Sequence, residues 1–138
     1  MTEYDAAYIA GLFDGEGSID FTKRKEKKRS GTYNCRRVSM EVTMTDQSVI
    51  RWMHEVLGVG TVVKKPRKGL RKDGTKYLTQ WRWRCTFRDA YYVCRVLWPY
   101  AHTKLSKIKQ VLDHYSQGKV MNGNVVSLEE YRKVMSLE

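Results

Sequence analysis

Between residues 77 and 87 the chain alternates strictly, with Trp81, Trp83, Cys85 and Phe87 at one parity and Gln80, Arg82, Arg84 and Thr86 at the other. A period of two puts successive side chains on opposite faces of an extended strand. One face is apolar enough to enter a core, while the other is polar and basic. A helix would scatter both sets around its circumference. The segment therefore reads as a half-buried strand, in a sheet that leaves one face uncovered by helices.

The same signature recurs upstream. Over residues 18–24, Ile19 and Phe21 face one way and Asp20, Thr22 and Arg24 the other. Over residues 33–44, Val38, Met40 and Val42 point inward, and Cys35, Arg37, Ser39 and Glu41 outward. A polar loop, Lys25 to Thr32, joins these two strands. Thr61–Lys65 forms another strand, and the loop Pro66 to Lys76 holds Asp73-Gly74, a strong hairpin-turn signal.

Helical periodicity fills the intervals. Residues 5–13 favour a helix through Ala6, Ala7 and Ala10, with Thr2 or Asp5 as cap and Gly15 and Gly17 as the stop. Asp46 is placed to cap a helix carrying Val49, Ile50, Met53, Val56 and Leu57 and ending at Gly58. Residues 89–98 form a helix with Tyr92, Val93, Val96 and Leu97 as core positions, interrupted at Pro99; Lys104 to Gln117 continues as helix until Gly118. After a linker at Met121 to Asn124, Ser127 and Glu130 form a capping box for a short last helix ending near Met135. The order predicts an α+β protein with an antiparallel sheet and helices on one face only. At 138 residues the chain suits one domain, 1–138, with a core at 5–117 and a helical extension at 118–138.

Charge says what the uncovered face meets. Lys and Arg number 26 against 15 acids, a net charge of +11. Of these bases, 17 fall within residues 21–37 and 64–84. One charge run is usually a solvated face; two, each flanked by strand patterns, predict a shared surface for a polyanion. No basic amphipathic helix with a lipid-facing stripe is evident, so nucleic acid is favoured over a membrane. The first 20 residues hold no Lys or Arg and five acids, which does not fit a signal peptide, and no targeting segment is visible. Cys35, Cys85 and Cys94 are odd in number and widely spaced, against a disulfide framework or structural zinc. His54, His102 and His114 lack metal-ligand spacing and read as surface or structural groups.

Two features remain at the first helix. Ala7, Ala10 and Gly11 fall at i, i+3 and i+4, a face nearly without side chains that would let another helix approach closely. Immediately after comes the acidic turn Asp14-Gly15-Glu16-Gly17.

The segment Tyr8 to Ile19, and within it Ile9-Ala10-Gly11-Leu12-Phe13-Asp14-Gly15-Glu16-Gly17, resembles the defining motif of the LAGLIDADG homing endonucleases. The likeness extends through Val42-Thr43, Leu57-Gly58-Val59-Gly60 and the Pro99 to Lys104 stretch, so it covers roughly residues 5–117. It implies the α-β-β-α-β-β-α fold with a saddle-like sheet, and cleavage of both strands of DNA. A single motif implies a homodimer through the first helix, with Ala7, Ala10, Gly11 and Asp14 at the interface and a nearly palindromic target. Glu16 matches the family's metal-binding acid and the Gly15 carbonyl its accessory ligand, although many members have Asp where Glu16 stands. The implied metal is Mg²⁺, with Mn²⁺ as a substitute and Ca²⁺ binding without supporting cleavage. Lys104 matches the basic residue beside the attacking water, and Asp14 a helix-end cap across the interface. Where the family commonly has a polar group, often Gln, this chain has Met44, which cannot orient water by hydrogen bonding; Thr43, Thr45, Asp46 or Gln47 are the candidate substitutes, with Arg51 a further basic neighbour.

The residues expected on DNA are Asp20, Thr22, Arg24, Arg37, Ser39, Glu41, Lys65, Gln80, Arg82 and Arg84, with the loop lysines Lys25, Lys27, Lys28, Lys68 and Lys72 on phosphates. A nine-residue strand spans about 30 Å, hence roughly nine base pairs per half-site and a target on the order of 20 base pairs. No small-molecule ligand is expected. An RNA-binding intron maturase and a binding-only DNA regulator are the alternatives on the same fold.

Overall fold

The computed structural model describes residues 1–116. The elements run α1 (Glu3–Glu16), β1 (Gly17–Lys28), β2 (Gly31–Met44), α2 (Gln47–Leu57), β3 (Thr61–Lys65), β4 (Gln80–Thr86), α3 (Phe87–Leu97) and α4 (Leu105–Ser116). The expected short helix at Ser127 lies outside the described residues.

The four strands form one antiparallel sheet in the order β1-β2-β4-β3. Register decides which residues share a face. Ile19 pairs with Met40, which pairs with Cys85, and Val42 joins Trp83 and Val62. This is the inner face: Val38, Met40, Val42 and Trp83 are fully buried and cluster with Ile9, Phe13, Ile50, Met53, Val93, Leu97, Ile108 and Val111 from the helices. The helices thus cover one face, as the alternation predicts.

Caps set the helix ends. Thr2 and Asp5 act together at α1, each side chain bonding the other's backbone amide. Asp46 caps α2 through Val49, and Gly58 closes it in the left-handed region at φ 71°.

Several boundaries depart from expectation. Helix α1 runs through Gly15 to Glu16, so the acidic turn is the helix's own last turn and only Gly17 terminates it. A Cβ on Gly17 would lie 2.5 Å from the Phe13 ring and 2.8 Å from its Cα, which explains why glycine stands there. The β1–β2 hairpin is longer than alternation suggests, because strand pairing continues to Lys28 opposite Gly31. Lys25, Lys27 and Lys28 therefore lie on a strand and not in a loop. At the other end β4 is shorter: residues 77–79 lie outside it. Phe87 leaves the strand at φ 51° to open α3, and is 52% exposed instead of buried. In α3 the buried set is Ala90, Val93, Cys94 and Leu97, with Tyr92 exposed.

Trp83 occupies the middle of the core. Its ring meets Phe13 edge-on at 5.6 Å, and its Nε1 donates to the Val59 carbonyl at 3.0 Å. Gly60 beside it has φ 90°, and a Cβ there would lie 2.6 Å from Trp83 Nε1. His54 Nε2 donates to the Gly60 carbonyl at 2.9 Å, locking the α2–β3 connection over the indole. Burial, with Asp89 nearby, pushes the Cys85 thiol up to about 12, and burial pushes Cys94 up as well. Both are inert core groups at neutral pH.

Gly60→Ala combines left-handed strain with a steric conflict against Trp83, so it is expected to destabilise the fold by about 2 kcal/mol or more. Denaturant unfolding monitored by tryptophan fluorescence measures this, and an unchanged midpoint would contradict the packing described.

Candidate nuclease site and nucleic-acid interface

The outer sheet face follows from the same register. Ser18, Glu41, Arg84 and Thr61 form one row across all four strands. Asp20, Ser39 and Thr86 form a second, and Thr43, Arg82 and Val63 a third. Thr22 pairs with Arg37, and Lys65 with Gln80. The positions that sequence alternation assigned outward thus fall on one face; Arg24 takes the register position opposite Cys35.

The face is polar and under-bonded. Arg82 Nη1 stands 3.9 Å from Glu41 Oε2, a loose ion pair, and the shielded Arg82 Nε has no hydrogen-bond partner among the described residues. Ser39 is buried, at 9% exposure. Beyond β3 the connecting segment adds Arg67 and Arg71, both over the ring of Tyr77. The Asp73 side chain fixes its turn by accepting from the Thr75 amide and hydroxyl, which hold the Asp73 carboxyl below its ordinary range.

Glu16 ends α1, is exposed, and directly precedes the first residue of β1. Gly17 pairs with Val42, which pairs with Trp83, so the acid sits at the end of the sheet where β2 runs on to Met44. The last turn of α1 carries no basic side chain, and the carbonyls of a helix C-terminus carry partial negative charge. A hard divalent cation fits that donor set: one free carboxylate and backbone oxygens. Among the described residues no group of three or more His, Cys, Asp or Glu side chains could hold a metal. Such an ion would therefore complete its ligands with water, phosphate or a second chain.

Asp14, expected as a helix-end cap across an interface, makes its bonds here within its own chain. Its two carboxylate oxygens accept from the backbone amides of His102 and Lys104, each at 2.9 Å, within the same chain. That joins the end of α1 to the entrance of α4, the segment that bears Lys104. Lys104 is part-buried and its carbonyl accepts from Ile108, so it occupies the N-cap position of α4 rather than its first turn. Nothing local in the sequence signals this link, because its partners are 88 and 90 residues apart.

Near Met44 the structure gathers two of the polar candidates. Met44 is partly buried and pairs with Trp81, whose ring lies 5.3 Å from the Arg51 guanidinium. With its amide turned to suit its neighbours, Gln47 Oε1 accepts from Arg51 Nε at 2.8 Å and Nη2 at 3.1 Å. Asp46 is committed to capping α2.

The small-residue face of α1 also needs correction. Ala10 is fully buried in the core, whereas Ala7, Gly11 and Gly15, spaced by four, are exposed. Among the described residues, a Cβ on Gly11 or Gly15 would meet nothing within 4 Å. Tyr4, 88% exposed, and Tyr8, 55% exposed, flank this strip. Tyr8 meets Trp52 edge-on at 5.4 Å. A groove of about 580 Å³ opens there, lined by Tyr4, Asp5, Tyr8, Ser48, Val49 and Trp52.

Comparison with known proteins bears directly on this arrangement. The sequence profile described as LAGLIDADG endonuclease matches residues 9–80. No curated protein matches the sequence. Among solved structures, the homing endonuclease I-CvuI in complex with its target in the presence of Ca is similar at TM-score 0.57 and 20% identity, over 98% of this chain and 94% of that one. An archaeal intron-encoded homing endonuclease complexed with DNA gives TM-score 0.60 at 15% identity, over 98% of this chain and 80% of the other. The homing endonuclease I-TnaI gives 0.56 at 14%, over 96% of each chain.

Because the Arg82–Glu41 contact is long and partly solvated, Glu41→Gln is expected to change folding stability by less than about 1 kcal/mol. A larger loss in thermal or urea unfolding would show that the outer-face charges hold the fold together.

Proposed function

Because this chain belongs to the LAGLIDADG endonuclease family, we propose that it is a site-specific, divalent-metal-dependent endonuclease that cuts double-stranded DNA as a homodimer. The observation that carries the reading is the outer sheet face. A polar, basic surface runs across four strands and shares its end with an exposed carboxylate at a helix C-terminus. One of the similar structures is a complex with its target and another a complex with DNA, in keeping with this reading.

The face suits a duplex. Arg37, Arg82 and Arg84 have the donor geometry to bind guanine edges or phosphates, Gln80, Ser39 and Thr22 can donate and accept, and Asp20 and Glu41 accept from cytosine amino groups. The Arg82 guanidinium, held only loosely by Glu41 at 3.9 Å, is a candidate donor to base or phosphate oxygens. The lysines of the long hairpin, Lys25, Lys27 and Lys28, and those of the β3–β4 connection, Lys68 and Lys72, would hold phosphates. Roughly nine base pairs per half-site give a target on the order of 20 base pairs, nearly palindromic.

Glu16 and the Gly15 carbonyl would hold Mg²⁺, which when bound lowers the pKa of a water and offsets charge on the leaving oxygen. Mn²⁺ would substitute, and Ca²⁺ would bind without supporting cleavage. Lys104 supplies positive charge beside the phosphate. Its ammonium has three donors for the phosphate oxygens or the attacking water. Thr43, Thr45 and Gln47 are the candidates to take the place of a solvent-orienting side chain at Met44, with Asp46 committed to its cap; Gln47 is already paired with Arg51, the further basic neighbour.

One chain carries one such acid, and two strands must be cut. The exposed strip of Ala7, Gly11 and Gly15, flanked by Tyr4, Tyr8 and the groove against Trp52, supports close packing of α1 on a second copy. Residues 1–138 would then act as one domain per subunit.

Glu16→Gln is expected to bind the selected target with unchanged affinity while cleavage in Mg²⁺ falls by at least about a hundredfold. The target comes from cleavage selection on a randomised DNA library, and a Glu16→Gln protein that still cuts would refute the assignment. Gly11→Leu, at an exposed position whose Cβ meets none of the described residues, should fold normally yet sediment as a monomer and lose double-strand cleavage. A wild-type monomer that cuts both strands would overturn the dimer.

A further inference from the structure

The N-cap position of α4 is held by Lys104, whose carbonyl accepts the first helical bond from Ile108 at 3.0 Å. Lysine is a poor choice there. The position favours Ser, Thr, Asp or Asn, whose side chains accept from first-turn amides, and lysine has no acceptor. Forgoing a cap costs a helix about 1 kcal/mol. The backbone that bears Lys104 is fixed from elsewhere instead. Asp14 Oδ1 accepts from the Lys104 amide and Asp14 Oδ2 from the His102 amide, both at 2.9 Å, across 90 and 88 residues of sequence.

These bonds do not serve the first-turn amides of α4. They grip the two amides just before the helix, one of them Lys104's own. The carboxylate doing so stands two residues before Glu16 in the last turn of α1. Charge-assisted bonds of this kind are short and about twice as strong as neutral ones, and a carboxylate binding two amides fixes the orientation of a backbone segment as well as its distance. One helix end thus presents one acid and holds the backbone that carries the base.

We propose that Asp14 is a positioning residue for Lys104, setting the lysine in register with Glu16 for phosphodiester cleavage. The inference rests on the reading of Glu16 and Lys104 as the groups that meet the scissile phosphate. It accounts for an acid at the end of α1 that bonds within its own chain, and for a helix start that carries a residue that cannot cap it. Misplacing a reacting group by about 1 Å costs on the order of a hundredfold in rate, so a tether at this point matters more to cleavage than to folding.

A double-mutant cycle tests it, with full-length protein, the selected DNA target and Mg²⁺. Asp14→Asn replaces one acceptor oxygen by an amide NH₂ that opposes a backbone N–H. It is expected to lower the single-turnover cleavage rate by at least tenfold, with target affinity in Ca²⁺ changed less than threefold. In a Lys104→Met background the same substitution should cost less than threefold, because there is no longer a lysine to place. Asp14→Ser keeps one acceptor and is expected to fall between; it carries the same cycle should Asp14→Asn not fold at the assay temperature. Equal losses in both backgrounds would overturn the proposal and leave Asp14 a purely structural bond. If Lys104→Met cleaves at the wild-type rate, the role of Lys104 fails and the proposal fails with it. If wild-type protein binds the target but does not cut, the endonuclease reading itself is at fault.

Discussion

The packing of Trp83 against Phe13 is the contact on which the rest of the structure depends. Trp83 is the central inward residue of β4, and Phe13 is the last buried residue of α1. Their edge-on contact at 5.6 Å sets the height of the helix end over the sheet. Everything downstream inherits that height. Gly17 must be glycine because Phe13 fills the space a side chain would take. The chain then turns directly from α1 into β1, and Glu16 is delivered to the sheet's end with no loop between. The indole is fixed on its far side by the Val59 carbonyl and the close approach of Gly60. An acid at the end of a loop would sample many positions; an acid at the end of a helix wedged by two aromatic rings does not.

That constraint also shows how much of the molecule was legible in its sequence. The inner faces of the strands were readable because their period is local: Trp83, Cys85, Val38, Met40 and Val42 are as buried as their parity implies. The Asp46 cap and the Gly58 stop were readable for the same reason, as single-residue chemistry. Phe87 departs from its parity because alternation carries no signal for where a strand stops; a φ of 51° takes it out of the strand before its parity can act. The hairpin end departs in the opposite sense. Lys25, Lys27 and Lys28 look like loop by composition, yet backbone pairing to the register of Lys28 with Gly31 needs no apolar side chains.

The site divides along the same line. Glu16 and the outer-face residues could be named from motif and period. Ala10 could not be told from Ala7 as a surface residue, because a spacing of three or four marks a stripe and does not say which edge of it meets the core; burial puts Ala10 inside and leaves Ala7, Gly11 and Gly15 out. The bond from Asp14 to the entrance of α4 is beyond any local reading, since it joins groups that only the folded core brings together.

The two faces of the sheet answer to different demands, and the pleat keeps them apart. Inward positions are constrained by close packing around Trp83, where a single methylene is felt. Outward positions carry Arg37, Glu41, Arg82 and Arg84 in loose contact or none, in a chain of net charge +11. Concentrating like charge in this way destabilises a folded chain by self-repulsion, and long, solvated ion pairs offset little of it. A polyanion lying along the face, as proposed, would relieve the repulsion and release its counterions. On that reading binding and folding would be coupled through charge and not through packing. Substitutions that retune the outer face leave the core and the height of α1 untouched. What they change is the surface presented beside Glu16.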